Sequence, residues 1–154
     1  MRGSDFRMRA LVQRVSEASV TVDGSATGEI GRGLLVFLGV RHDDTELHAK
    51  QLAQKVAHLR VFSDEQGKMN LSVQEVSGAL LIVSQFTLYG NTEKGNRPSY
   101  TEAAKPDLAL HLYDCFVQYC REAGITVETG IFQAHMQVRS INDGPVTLLC
   151  YSEA

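Results

Sequence analysis

This chain has no apolar run long enough to suggest a membrane segment. The longest, Leu34 to Val40, falls far short of the roughly 20 residues a spanning helix needs. The amino terminus also lacks the apolar stretch of a secretory signal. Cysteine is scarce: Cys115, Cys120 and Cys150 are odd in number and show no C-x-x-C spacing. That argues against a disulfide framework and for reduced thiols serving as small core hydrophobes, in a protein of cytoplasmic location. Charge of one sign is scarce as well. With a net charge of -3 the molecule has no overall attraction for nucleic acid, so any RNA contact must use a local basic patch. Lys94, Arg97 and Lys105 are the candidates for one; a solvated polar loop is the plainer reading.

The usual catalytic signatures are missing too. Gly28, Gly31 and Gly33 give G-x-x-G-x-G, the reverse of the dinucleotide fingerprint, and there is no G-x-x-x-x-G-K-[ST] loop. His42, His48, His58, His111 and His135 form neither H-E-x-x-H nor a cysteine-histidine cluster with zinc spacing. The expectation is therefore an absence of metal and of cofactor. Ser84 sits between Val83 and Gln85, which excludes the G-x-S-x-G elbow. Thr87 has no neighbouring base in the sequence, and a threonine hydroxyl needs one to act as a nucleophile.

What is present reads as a single domain of many short strands and two main helices. Ala10 to Val15 and Ala18 to Val22 read as strands, and Asp23-Gly24 is a hairpin signal returning through Ser25 to Ile30. Leu34 to Val40, apolar throughout, suits a central strand covered on both faces. A helix is expected from Asp43, where Asp43-Asp44-Thr45-Glu46 matches a capping box, to about Arg60. A short strand at Val61 to Ser63 and a longer one at Ala79 to Phe86 follow, then a loop from Tyr89 to Pro98. Pro106 opens the second helix, with Leu108, Leu112, Cys115, Phe116 and Tyr119 on one face and Gly124 as its stop. Ile125 to Thr129, Met136 to Ile141 and Val146 to Tyr151 complete the strands. The fold class is α+β: a mixed, largely antiparallel sheet or barrel with helices on one side. Met1 to Arg7 lacks any strand pattern and reads as an extension or tag remnant, leaving residues 8–154 as the domain.

Two polar-tipped segments stand out. Ser84-Gln85-Phe86-Thr87-Leu88 leaves the apolar run Leu80 to Val83, and Asn142-Asp143-Gly144-Pro145-Val146-Thr147 enters Val146 to Leu149. Both put main-chain amides, carbonyls and hydroxyls at strand ends, where ligands are commonly bound. Neither supplies an obvious acid, base or metal ligand. On the residues alone Gly144-Pro145 reads first as a plain turn between two strands, although such a pair can also aim carbonyls at a ligand.

Taken together the two segments resemble the D-aminoacyl-tRNA deacylase family, in which they are similar to the S-Q-x-T-L and N-x-G-P-V-T motifs. Supporting similarity runs from Met8-Arg9-Ala10 through Gln13-Arg14-Val15, Gly67-Lys68-Met69-Asn70, Lys94 to Ser99 and Met136-Gln137-Val138, over nearly the whole chain after Arg7. The resemblance implies hydrolysis of the ester of D-aminoacyl-tRNA at its acceptor end. It also implies a homodimer in which a Gly-cisPro pair, here Gly144 and Pro145, reaches into the partner's site and rejects L-amino acids, while glycine, having no side chain to reject, is tolerated. By the same resemblance Ser84, Gln85, Phe86 and Thr87 carry the main-chain donors for the oxyanion, Phe86 and Met136 line the adenosine and aminoacyl pocket, and a ribose hydroxyl of the substrate assists the attacking water. Gln133 stands where many relatives carry glycine. The competing class is a noncatalytic dimeric module that holds the tRNA acceptor end or an adenine nucleotide. A thiol or serine hydrolase using Cys150 or Ser84 is the weaker third reading.

Overall fold

The computed structural model describes residues 8–153; the suspected extension Met1 to Arg7 lies outside the described residues. Chain order is β1 (Arg9–Val22), β2 (Ser25–Ile30), β3 (Gly33–Gly39), α1 (Glu46–His58), β4 (Phe62–Ser63), β5 (Met69–Leu71) and β6 (Ala79–Ser84). A 3-10 helix (Phe86–Tyr89), α2 (Pro106–Glu122), β7 (Thr126–Thr129) and β8 (Gln137–Tyr151) follow. The main sheet runs β2-β1-β3-β6-β7, and β8 also pairs with β1. The β3–β6 and β6–β7 pairs are parallel and the others antiparallel, so the sheet is mixed.

Pattern explains the layering. Alternate residues of β3 and β6 point opposite ways. Leu34, Val36, Leu38, Leu80 and Ile82 join Leu52 and Val56 of α1 and Leu112 and Phe116 of α2 in the main core. Leu35, Leu81 and Val83 turn to a second core with Val15, Ala18, Val20 and Ile30. The central strand is thus covered on both faces, as its unbroken apolar run anticipates. The second core exists because the sheet curls until β2 nearly meets β7: at Gly28 any Cβ would stand 2.5 Å from the Thr129 carbonyl oxygen, an approach open only to glycine. The sheet is therefore close to a closed barrel with two helices on one side.

Three expectations are corrected. The strands read as Ala10 to Val15 and Ala18 to Val22 are one strand, β1, which pairs first with β3 and then with β2 while β8 follows its other edge. Its register slips between Val15 and Glu17, and an extra residue in a strand swaps the faces. Ala10 and Val12 accordingly face the main core, whereas the equally even-numbered Ala18 and Val20 face the second. Likewise, Met136 to Ile141 and Val146 to Tyr151 belong to one strand, β8. Helix α1 starts at Glu46, not Asp43, with Thr45 as N-cap. The Asp44 carboxylate is drawn away to the Arg41 N–H at 2.6 Å, and the Thr45 N–H donates to His48 Nδ1 at 2.9 Å. The short β5, paired with β4, is not legible in the sequence.

Candidate active site

The end of β6 is shaped by one hydrogen bond. Gln85 donates its N–H to the Leu38 carbonyl at 2.8 Å, and its backbone then leaves the strand (φ -143°, ψ 83°) to open the 3-10 helix Phe86–Tyr89. The strand read as reaching Phe86 therefore stops at Ser84. As first residues of that turn, Phe86 and Thr87 have N–H groups with no acceptor inside the helix. The far end is fixed from β1: Arg9 Nη1 donates to the Leu88 carbonyl at 3.1 Å, and its guanidinium lies 4.3 Å from the centre of the buried Tyr89 ring. A charge over an aromatic face in so dry a place is worth about 2 kcal/mol. Burial also pushes the Tyr89 hydroxyl pKa up. The segment is thus clamped on both sides.

Beside it lies a cleft of about 640 Å³, within the size range of small-ligand sites. Ser84, Gln85 and Phe86 form one wall and Met136 and Val138 another; Tyr100, Ala103, Ala104, Pro106 and Ala109 reach it from before and within α2, and Phe132 to His135 close it. Phe86, 56% exposed, meets Tyr100 edge to face at 5.0 Å. Phe132 packs near Tyr113, whose buried hydroxyl donates to the Ile82 carbonyl at 2.6 Å. Gln133 holds φ 64°, in the left-handed region where glycine fits without steric cost. Among the described residues no carboxylate, lysine, arginine or cysteine lines the cleft, and His135 is the only imidazole that does.

The second segment is not a hairpin turn. Gln13 pairs with Thr147 and Val15 with Asn142, so Arg14 alone stands opposite Asp143, Gly144, Pro145 and Val146, which form a wide bulge inside β8. Asn142 closes the bulge: its Oδ1 accepts from the Val146 N–H at 3.1 Å and its Nδ2 donates to Thr147 Oγ1 at 2.9 Å. Arg14 braces it from β1, with Nε donating to the Asp143 carbonyl at 3.0 Å and Nη1 to the Val61 carbonyl at 2.6 Å. Gly144 has φ 131°, and the Gly144–Pro145 peptide bond is cis. Asp143, Gly144 and Pro145 are all exposed.

Of the residues singled out in the sequence, Ser84, Gln85, Phe86 and Met136 come together in the cleft. Thr87 is exposed just beyond, its Oγ1 accepting from Gln85 Nε2. Gly144 and Pro145 are not among the residues lining the cleft of their own chain. Lys94 and Arg97 sit on the exposed stretch 91–100, tied at its base by the Asn91–Ser99 bridge, and Lys105 is the N-cap of α2. Cys150 is buried against the main core, away from the cleft, and all three cysteines are free. The bracing roles of Arg9 and Arg14 were not visible in the sequence, since the two contacts reach main-chain atoms 79 and 129 residues away. No helix among the described residues is long and apolar enough to cross a membrane.

A family model described as D-Tyr-tRNA(Tyr) deacylase matches residues 11–151. A D-aminoacyl-tRNA deacylase of Alkaliphilus metalliredigens is 58% identical over 146 residues, covering 95% of this chain and 98% of its own. One of Thermotoga petrophila is 60% identical over 142 residues, covering 92% and 95%. A solved structure titled "c-Myc DNA Unwinding Element Binding Protein" superposes with a TM-score of 0.89 at 41% identity, covering 95% of this chain and 99% of the other. The structure of a probable eukaryotic D-amino acid tRNA deacylase gives 0.81 at 20% identity, covering 94% and 98%, a likeness of fold.

Proposed function

The chain belongs to the D-Tyr-tRNA(Tyr) deacylase family, and from that premise we propose how its cleft hydrolyses the ester of D-aminoacyl-tRNA. One observation carries the reading: the cleft combines an apolar and aromatic lining with a clamped strand end, and among the described residues no carboxylate or thiol lines it. An oxygen of water adds to the ester carbonyl, the carbonyl oxygen gains charge, and the bond to the ribose oxygen breaks as that oxygen takes up a proton. The charge is met by the Phe86 and Thr87 N–H groups. Gln85 is removed from the donor set because its N–H is already committed to Leu38. A single preorganised donor at such a place is worth on the order of a hundredfold to a thousandfold in rate. The neighbouring ribose hydroxyl orients the attacking water, a task for which the cleft walls offer no carboxylate. Phe86 and Met136 hold the adenosine and the aminoacyl group.

Stereochemical selection rests on Gly144 and Pro145 of a second copy. Two observations support this. The bulge presents its main chain outward, and β8 around it leaves Ile141, Leu148 and Leu149 between 40% and 53% exposed, an apolar surface of the kind that a partner covers. Carbonyl oxygens entering the partner's cleft crowd the side on which an L-residue carries its side chain, so D-residues fit and glycine passes. The paired assay tests it: the protein releases D-tyrosine from D-tyrosyl-tRNA and leaves L-tyrosyl-tRNA intact, and equal rates on the two would overturn chiral rejection. The relative titled as a DNA-binding protein favours a second reading, binding of nucleic acid without turnover. Retention of D-tyrosyl-tRNA with no release of amino acid would establish that reading instead.

A further inference from the structure

Outside the cleft, three side chains converge where the first turn of α1 meets α2. His111 and Cys115 are one helical turn apart on α2, a spacing that puts both on one face. Glu46, the first residue of α1, lies beside them. Glu46 Oε1 stands 2.8 Å from His111 Nε2, and Cys115 Sγ is 3.9 Å from each. None of the three lines the cleft.

We propose that Glu46, His111 and Cys115 form a three-ligand site for zinc, joining α1 to α2. The donor set is an oxygen, an imidazole nitrogen and a sulfur, a mixture suited to zinc and poorly suited to calcium or magnesium. The spacing fits as well. Tetrahedral zinc with ordinary bond lengths separates nitrogen from oxygen by about 3.3 Å and sulfur from either by about 3.6 Å. The observed 2.8 and 3.9 Å each differ from these by about half an ångström or less, which rotamer adjustment of exposed side chains supplies. Charge favours a dication, since the Glu46 carboxylate is itself one of the three converging donors, 3.9 Å from the Cys115 sulfur. Glu46 and His111 are 61% and 56% exposed, so metal can enter and the fourth position is open to water. The sequence conceals the site because its acid and its helical pair are 65 residues apart.

Cobalt(II) is the probe for geometry and zinc for affinity, both with the full chain. Cobalt should give a thiolate charge-transfer band that disappears in Cys115→Ser; the other two thiols, Cys120 and Cys150, are buried. In competition with a chromophoric chelator, Cys115→Ser, His111→Ala and Glu46→Gln should each bind zinc roughly tenfold or more weakly, at least the loss seen for outer-shell partners. Zinc should raise the melting temperature of the parent and not of Cys115→Ser, while deacylation by the two is equal. Circular dichroism confirms that the variants are folded. The proposal is overturned if the parent shows no charge-transfer band, or if the variants bind zinc as tightly as the parent.

Discussion

The strand end at Ser84 to Thr87 and the bulge at Asn142 to Thr147 are both built of main chain, yet they are held in opposite ways. The first is drawn inward. Gln85 is bonded to β3, Arg9 grips Leu88 and Tyr89, and a cleft with walls from two other stretches of chain, 100–109 and 132–138, lies against it. The second is pushed outward. Asn142 and Arg14 tie its two ends and its first carbonyl to β1 and to itself, leaving Gly144 and Pro145 exposed. The difference teaches that a backbone segment can be rigid without being buried. In our reading one segment is the receiving half of a site and the other the inserted half, so each subunit carries both halves without joining them.

Three experiments bear on that contrast, from the largest effect to the smallest. If the receiving half lacks its own base, a substrate without the ribose hydroxyl beside the ester should react roughly a hundredfold more slowly or worse, the scale of a lost acid-base group. Single-turnover hydrolysis of the matched substrates measures this, and equal rates would point to a protein base such as His135. At the inserted half, Gly144→Ala forces a side chain onto φ 131° with Cβ 3.0 Å from Arg14 Nη2 and from Val146 Cγ2. Shifting the carbonyls by a fraction of an ångström should lower kcat/KM for D-tyrosyl-tRNA about tenfold or more, with the fold intact by circular dichroism. Unchanged kinetics would detach the bulge from the reaction. Thr87→Ala removes a hydroxyl and leaves the main-chain N–H in place, so activity should stay within roughly fivefold of the parent, a loss of about 1 kcal/mol. A collapse of kcat would make Thr87 a side-chain nucleophile and end the comparison.

The elements with a strong local signal were legible. β2 was read to the residue, β3 to within one, and α2 from its opening proline to the glycine beyond its end, because hydrophobic period and capping act over a few neighbours. The two candidate segments stood out as motifs through resemblance, but the residues alone favoured a hairpin turn at Gly144-Pro145. That reading failed because a turn and a wide bulge need the same flexible residues. What separates them is whether the flanking strands pair with each other or with a third strand, here β1. The start of α1 was misplaced because Asp43, a good cap by type, lies in a turn closed by the Asp44 N–H donating to the Arg41 carbonyl at 3.1 Å, with the Asp43 carboxylate 3.6 Å from Arg41 Nε.

Composition and order along the chain determined by themselves that this is an α+β domain with a doubly covered central strand, since these follow from which residues can be buried and which can turn. Tertiary structure alone decided that β1 and β8 run unbroken, that Arg9 and Arg14 brace the two segments, that Ser84 to Phe86 and Met136 face one cleft, and that Glu46 meets His111 and Cys115. The reason is physical: those outcomes depend on hydrogen bonds and contacts between stretches remote in sequence, and local preference carries no information about which distant partner a donor will find.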